Sequence, residues 1–471
     1  MTIRIRDLVG WLRADGLDVR ALDPAGVPVD VPDLECARVV YDSRDVDAET
    51  LFCAVPGEVT HGRRFIESAF AKGARVCLVD GEAPRLEGVD GFVIEVDDAR
   101  RAMAAAARAW LGAHDPVVVG ITGSNGKTTT KDFLAAALHG DRRAVASPGN
   151  KNSRWGMPAA ILSFSGDEDV LVLEMGASGP GEIGRLAAIA SPWMGCVTNV
   201  GPAHIEFFGS VDGVAQTKGQ LLEALPADGV AIVNVDDPYH EDFVRRTSAR
   251  NVIRFGEAAE ADLRIERAED VDVGVAVRIG GVDAVLPVFG AVNAYNAAAA
   301  VAMAEALGVR REDALARIAA ASLSPHRSRR LSVRGRRVID DAYNANPASM
   351  RAALGSLVRA TGGRRVAVLG EMAELGDDTI ALHRAVLGDA LVSGVDNVIV
   401  VGSSFAAAAE GAEDPRIDRF DAKAFDAVAA RLAEVTEVDD VVLFKGSRSA
   451  ALEKILEAFE ALTEPSNEGS D

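Results

Sequence analysis

The run Gly120-Ile-Thr-Gly-Ser-Asn-Gly-Lys-Thr-Thr-Thr130 follows the apolar Val117-Val118-Val119 and dictates a strand, a tight turn and a helix in succession. Glycines 120, 123 and 126 let the backbone bend so that consecutive N–H groups face one anion, and the helix adds the positive end of its dipole. Lys127 supplies a mobile positive charge and Thr128 a hydroxyl suited to a magnesium ion. The spacing departs from the usual phosphate loop, since Ile121 stands where its first glycine would be. Gly123, Ser124, Asn125, Gly126, Lys127, Thr128 and Thr129 are therefore the candidate nucleotide-phosphate contacts.

At 471 residues the chain exceeds one core, and ~150 residues per domain predicts about three domains. A net charge of −21 opposes nucleic acid or an anionic membrane as partner. Cys36, Cys53, Cys77 and Cys196 show neither metal-ligand spacing nor a CxxC pair, which predicts buried thiols in a reducing compartment. The start, Met-Thr-Ile-Arg-Ile-Arg-Asp, lacks the apolar core of a signal peptide, and no run reaches the ~18 apolar residues of a membrane span. The expectation is a soluble, cytoplasmic protein without membrane insertion.

The pattern along the chain is α/β throughout. Short strands at 38–41, 51–55 and 76–79 with a helix near 65–72 make a small first domain, 1–115. From Val117, strands at 117–121, 170–174, 196–200 and 230–234 alternate with helices, predicting a parallel sheet in a second domain, 116–323. Its later part, 252–290, reads as β-rich and is closed by an alanine-rich helix, 294–307. The third domain, 324–471, carries apolar strands at 337–339, 366–369, 398–401 and 441–444 in a Rossmann-like alternation. The segment 464–471 is polar and is expected to be disordered.

A magnesium ion at the loop needs oxygen ligands at strand ends. Glu174 closes the strand Val170–Leu173, and His204 follows Cys196–Val200 through Gly-Pro-Ala. Taken alone, His204 reads as a structural hydrogen-bond partner sooner than as a ligand, and Lys218 as a solvated helix lysine.

Thr122-Gly-Ser-Asn-Gly-Lys-Thr-Thr129, Leu173-Glu-Met-Gly176, Thr198-Asn-Val-Gly-Pro-Ala-His204 and Thr217-Lys-Gly-Gln220, in this order, resemble the Mur ligases, ATP-dependent amide-forming enzymes of peptidoglycan synthesis. Asp340-Asp-Ala-Tyr-Asn-Ala-Asn-Pro347, Leu369-Gly-Glu-Met-Ala-Glu-Leu-Gly376 with His383, and Lys445-Gly-Ser-Arg-Ser449 resemble the members that add D-alanyl-D-alanine to a UDP-N-acetylmuramoyl-tripeptide. Asp42-Ser-Arg44 and Leu51-Phe-Cys-Ala-Val-Pro-Gly57 extend the resemblance over nearly the whole chain.

The resemblance implies a three-domain architecture with a central P-loop domain, and a reaction in which ATP phosphorylates the peptide carboxylate before an amine displaces phosphate. Lys127, Lys218 and His204 would be catalytic. Thr128 and Glu174 would hold one magnesium, with His204 and a carbamylated Lys218 serving a second. Asn293 and Asn296 would contact the nucleotide, Arg330 and Asp341 its ribose and phosphate. Ser43, Arg44, Gly57 and Asn152 would face the UDP-sugar peptide, Asn344 and Asn346 would line the cleft between domains, and Lys445, Ser447 and Arg448 would face the dipeptide. A capped turn before Pro347 is the lesser alternative for Asn344 and Asn346. The chain is expected to act as a monomer.

Five positions depart from the family pattern, Ser153 standing where a second asparagine is usual. Arg154 replaces an acidic residue, His61 and Arg63 stand where aspartate and histidine are common, and Val292 replaces a histidine. A related ligase joining a different amine to a different carboxylate is thus the nearest rival. A nucleotide switch leaves Lys218 and the asparagine pair unexplained, and a catalytically silent binding protein would have lost Lys127, Glu174, His204 and Lys218.

Overall fold

The computed structural model describes residues 3–57, 60–202 and 205–462; His204 and the segment 464–471, both singled out above, lie outside the described residues. Three sheets follow one another along the chain. The first has five strands in the order Val19–Leu22, Phe92–Val96, Val76–Asp80, Thr50–Ala54 and Arg38–Val40. Its pairings are parallel except at the edge strand Val19–Leu22. That strand, of four residues, and the two-residue antiparallel pair Ile3–Arg4 with Glu35–Cys36 are too short to stand out in the sequence.

The second sheet places the strand Val117–Thr122 between Val170–Glu174 and Met194–Val197, all parallel. The chain leaves Val117–Thr122 toward one side of the sheet and later returns on the other. This strand therefore lies at the switch point, where ligands bind beyond strand C-termini. Val170–Glu174 is buried along its whole length, as a strand covered by helices on both faces must be. Lys127–Leu138 packs on one face beside Asn293–Ala306, whose alanines are buried on every side. The β-rich stretch after 252 extends the same sheet through Leu263–Val271 and then antiparallel through Gly274–Ile279 and Val282–Leu286. The third sheet is parallel except for its edge, Arg329–Val333 against Arg336–Asp341.

The cores do not respect the sheet divisions. Helix Ala99–His114 is capped by Asp98, whose carboxylate accepts from the Arg100 and Arg101 N–H groups, and ends at left-handed Asp115. Its apolar face packs on the helices Gly156–Ile161 and Glu182–Ala190 of the second sheet, so one apolar core runs from Ile3 to Leu221. Trp110 joins them: its ring stacks on His114 at 4.2 Å and meets Phe164 edge-on at 6.4 Å. Phe289, before the third sheet begins, likewise enters the core around Leu354 and Leu443. Trp110→Ala should therefore destabilise the protein by about 3–5 kcal/mol and loosen both layers in one transition. Urea unfolding followed by far-UV circular dichroism checks this, and a midpoint matching wild type would contradict the shared core.

Candidate active site

Because Val117–Thr122 pairs in register with its neighbours, Thr122, Glu174 and Val197 end at one edge of the sheet. The loop that follows is pressed between two walls. Gly123 (φ +152°) and Gly126 (φ +81°) lie where a Cβ would meet Thr198 Oγ1 at 1.9 Å and Asn296 Oδ1 at 2.1 Å. Only glycine fits either place. Asn125 is pinned at both ends: its N–H donates to Asn199 Oδ1 (3.0 Å), and its carbonyl accepts from Thr198 Oγ1 (2.6 Å) and Asn199 Nδ2 (3.0 Å). Ser124 Oγ donates to the Gly201 carbonyl at 3.0 Å. Helix Lys127–Leu138 then starts with its N-terminus toward the cleft.

Two lysine amines converge on one carbonyl. Lys127 Nζ donates to Gly123 O at 2.8 Å and Lys218 Nζ to the same oxygen at 2.9 Å. Lys218, read as a solvated helix lysine when taken alone, is only 2% exposed, on the inward face of helix Val211–Glu223. Burial, then the neighbouring Lys127, pushes its ammonium well below the usual lysine value. Burial also lowers Lys127, with Glu174 pulling it back up and Arg327 adding a smaller lowering.

Thr128 Oγ1 donates to Glu174 Oε2 at 2.6 Å, Asn152 Nδ2 donates to Glu174 Oε1 at 2.8 Å, and the Glu174 N–H donates to Ser147 Oγ at 3.1 Å. A buried carboxylate touching a hydroxyl at the mouth of a phosphate loop is a hard-oxygen donor set that fits magnesium. Among the described residues no further cluster of three His, Cys, Asp or Glu side chains is arranged for a metal.

Asn293 and Asn296 begin the helix Asn293–Ala306 and bond to each other, Asn296 Nδ2 to Asn293 Oδ1 at 2.7 Å. Thr130 Oγ1 donates to Asn296 Oδ1 at 3.3 Å, which ties the pair to the loop helix. Asn346 does two things at once. Its carbonyl oxygen accepts from Ser349 N as the cap of helix Pro347–Arg359, while its Nδ2 donates to Asn125 Oδ1 at 2.8 Å across to the loop. Both readings of this asparagine hold.

Lys445 is buried and matched rather than free, donating to Asp341 Oδ2 at 2.5 Å and Asn344 O at 3.2 Å. Arg448 pairs with Glu453, and Ser447 Oγ lies 2.9 Å from Ser449 Oγ. Arg330, expected at the ribose and phosphate, does not line the cleft. Its guanidinium lies over Phe289 and donates to the carbonyls of Asp272 and Gly274 in the neighbouring hairpin turn. Arg327 lines the cleft instead, 3.8 Å over the Tyr343 ring. Sequence reasoning missed Arg327 and Asn199. Three arginines at 327, 329 and 330 share one stretch, and only the turn geometry selects which of them faces inward.

Ser43, Arg44 and Gly57 line the far end of the same cleft, Arg44 paired with Asp42. Of the departures, His61 and Arg63 lie off the cleft wall. His61 Nδ1 caps a 3-10 turn by accepting from Arg63 N, and Arg63 sits against Asp80. Arg154 and Val292 do line the cleft. The cavity holds about 2220 Å³ and draws walls from all three sheets.

Three family models match in chain order: Mur ligase family, catalytic domain, over residues 35–111; Mur ligase middle domain over 121–304; and Mur ligase, glutamate ligase domain, over 326–448. The chain is 33% identical to the UDP-N-acetylmuramoyl-tripeptide--D-alanyl-D-alanine ligase of Bacillus subtilis, covering 89% of this chain and 92% of that one. It superposes on a crystal structure of MurF from Acinetobacter baumannii with a TM-score of 0.83 at 28% identity, over 98% and 99% of the two chains. MurF ligase from Thermotoga maritima, solved with ADP, gives a TM-score of 0.77 at 29% identity over 90% and 97%. With three matched models, full-length relatives and a shared architecture, the chain belongs to the Mur ligase family.

Proposed function

We propose that this chain joins D-alanyl-D-alanine to the peptide of a UDP-N-acetylmuramoyl-tripeptide, using ATP, in the synthesis of peptidoglycan precursors. The observation that carries the reading is the single cleft, in which the phosphate loop, Ser43 and Arg44 of the first sheet, and Asn346 and Arg448 of the third face one another. A carboxylate is a poor electrophile, and its conversion to an acyl phosphate supplies the leaving group. Its oxygen attacks the γ-phosphorus, ADP departs, the dipeptide amine adds to the carbonyl carbon, and phosphate leaves. Bringing two anions together requires fixed positive charge, which Lys127 and Arg327 in the same cleft would supply.

Thr128 and Glu174 would hold a magnesium ion, and Asn152 fixes the carboxylate by bonding its second oxygen. Magnesium there would neutralise charge on the phosphates. His204 and Lys218 would serve a second ion, Lys218 as its carbamate. A buried amine whose ammonium is disfavoured is a nucleophile ready to take up carbon dioxide, and the negative carbamate would sit beside Lys127 as its counter-charge. Asn293 and Asn296 would contact the nucleotide base, and Asp341 the ribose. Lys445, Ser447 and Arg448 would face the dipeptide, Lys445 chiefly by orienting Asp341.

Boundaries near 115 and 323 would separate the three working units. The cleft is complete within one chain, which supports action as a monomer. Among the described residues no helix is long and apolar enough to cross a membrane, and all four cysteines are unpaired and buried, which supports a cytoplasmic site of action where ATP is supplied.

Phosphate release should require ATP and both substrates together, with product heavier by one dipeptide. Release independent of D-alanyl-D-alanine would remove the reading. Glu174→Gln and Lys218→Ala should each lower kcat by about a hundredfold or more. Labelled bicarbonate should give a carbamate carbon-13 resonance in wild type that Lys218→Ala lacks. Asn346→Ala should raise the KM for ATP about two- to tenfold. The buried amine also predicts a pH effect. An amine whose pKa falls on folding holds fewer protons when folded. In bicarbonate-free buffer, the stability of wild type relative to Lys218→Met should therefore climb as pH rises from the depressed value toward 10.5. A relative stability that fell over that range would contradict the burial argument.

A further inference from the structure

One wall of the cleft carries positive charge that the reaction derived above does not use. Arg100 lies in the first turn of helix Ala99–His114, and Arg154 immediately precedes Trp155 in the loop leading to Gly156–Ile161. Both line the cleft. Their guanidinium carbons sit 5.6 and 5.8 Å from the Trp155 ring centroid, so two like charges from two domains are held against one buried indole. Neither guanidinium has a hydrogen-bond or ion-pair partner among the described residues.

The nearby carboxylates are committed elsewhere. Asp98 accepts from the backbone N–H groups of Arg100 and Arg101, Asp15 holds Arg101 and Arg108, and Glu182 accepts from the Ser178 and Gly179 N–H groups. In a chain with a net charge of −21, most basic groups have an acidic neighbour available, and these two converge without one. Their position is also informative. Asn152, which donates to Glu174, is two residues before Arg154, so the Arg154 backbone lies within about 7 Å of Asn152. Arg154 thus follows closely on the residue that holds Glu174.

We propose that Arg100 and Arg154 clamp a second, non-reacting carboxylate of the substrate peptide, making this ligase selective for an anionic stem. The proposal rests on the ligase reading above. Guanidinium forks match a carboxylate bidentately, and both arginines rest against the same indole at the cleft wall. Two carboxylates have this chemistry: the one left free on a glutamyl second residue, and the distal one of a diamino dicarboxylic third residue such as diaminopimelate.

Three UDP-muramoyl-tripeptides separate them: glutamyl-diaminopimelate, glutamyl-lysine, which lacks the distal carboxylate, and the diaminopimelate form with the glutamyl carboxylate amidated. Wild type should favour the fully anionic peptide over at least one of the others by about ten- to a hundredfold in kcat/KM, expressed mainly in KM. Whichever loss of charge is penalised names the carboxylate. Arg100→Gln, Arg154→Gln and the double variant should bring that ratio toward one, with Arg154→Lys intermediate. A merely structural role would lower all three rates alike and leave the ratio unmoved, which overturns the clamp, as would equal wild-type use of the three peptides. Absence of phosphate release with any peptide would instead overturn the ligase reading itself.

Discussion

Two lysine amines bonded to the carbonyl of Gly123 are the contact on which the site depends. Burial first, and then the second charge of Lys127 on the same oxygen, holds Lys218 as a weak base. The surroundings support this contact. Glu174 offsets the charge of Lys127 from the next strand, and Thr198 and Asn199 brace the loop so that the shared carbonyl cannot turn away. Gly123 and Gly126 allow the walls to approach closely enough for that bracing.

The third sheet completes this centre. Asn346 reaches Asn125 while capping its own helix, so the start of helix Pro347–Arg359 and the phosphate loop are joined by one side chain. Arg327 brings a cation over Tyr343 into the cleft, and Asp341 is kept in place by Lys445 and Ser328. The first sheet is attached differently, through a continuous apolar core along helix Ala99–His114. One attachment is polar and local, the other broad and apolar. The wall carrying Arg100 and Arg154 is therefore fixed relative to Glu174 by packing.

Much of this was legible from residue order. The strand–loop–helix unit and Glu174 at a strand end follow from local patterns, Asn293 and Asn296 from the family resemblance, and each lines or adjoins the cleft. Local patterns fail where a side chain's direction depends on a distant partner. Lys218 looks like a surface residue until Gly123, far away in sequence, receives its amine. Arg330 and Arg327 are equivalent in the sequence, yet one turns to a hairpin carbonyl and the other to the cleft. His61 and Arg63, departures from the family pattern, serve a turn and an ion pair off the cleft, whereas the departures Ser153, Arg154 and Val292 line it.

The sequence by itself determined the chemistry on offer: a glycine-rich strand–loop–helix unit, a carboxylate at a strand end and a chain of α/β sheets, because backbone bending, periodicity and charge are properties of neighbouring residues. Only the tertiary structure decided which charges are matched. Lys445 is neutralised by Asp341, Lys218 is stripped of water, and Arg100 and Arg154 meet over Trp155 without a counter-charge. Desolvation and pairing depend on what the fold packs against each group, and those partners come from segments that the chain's order does not place side by side.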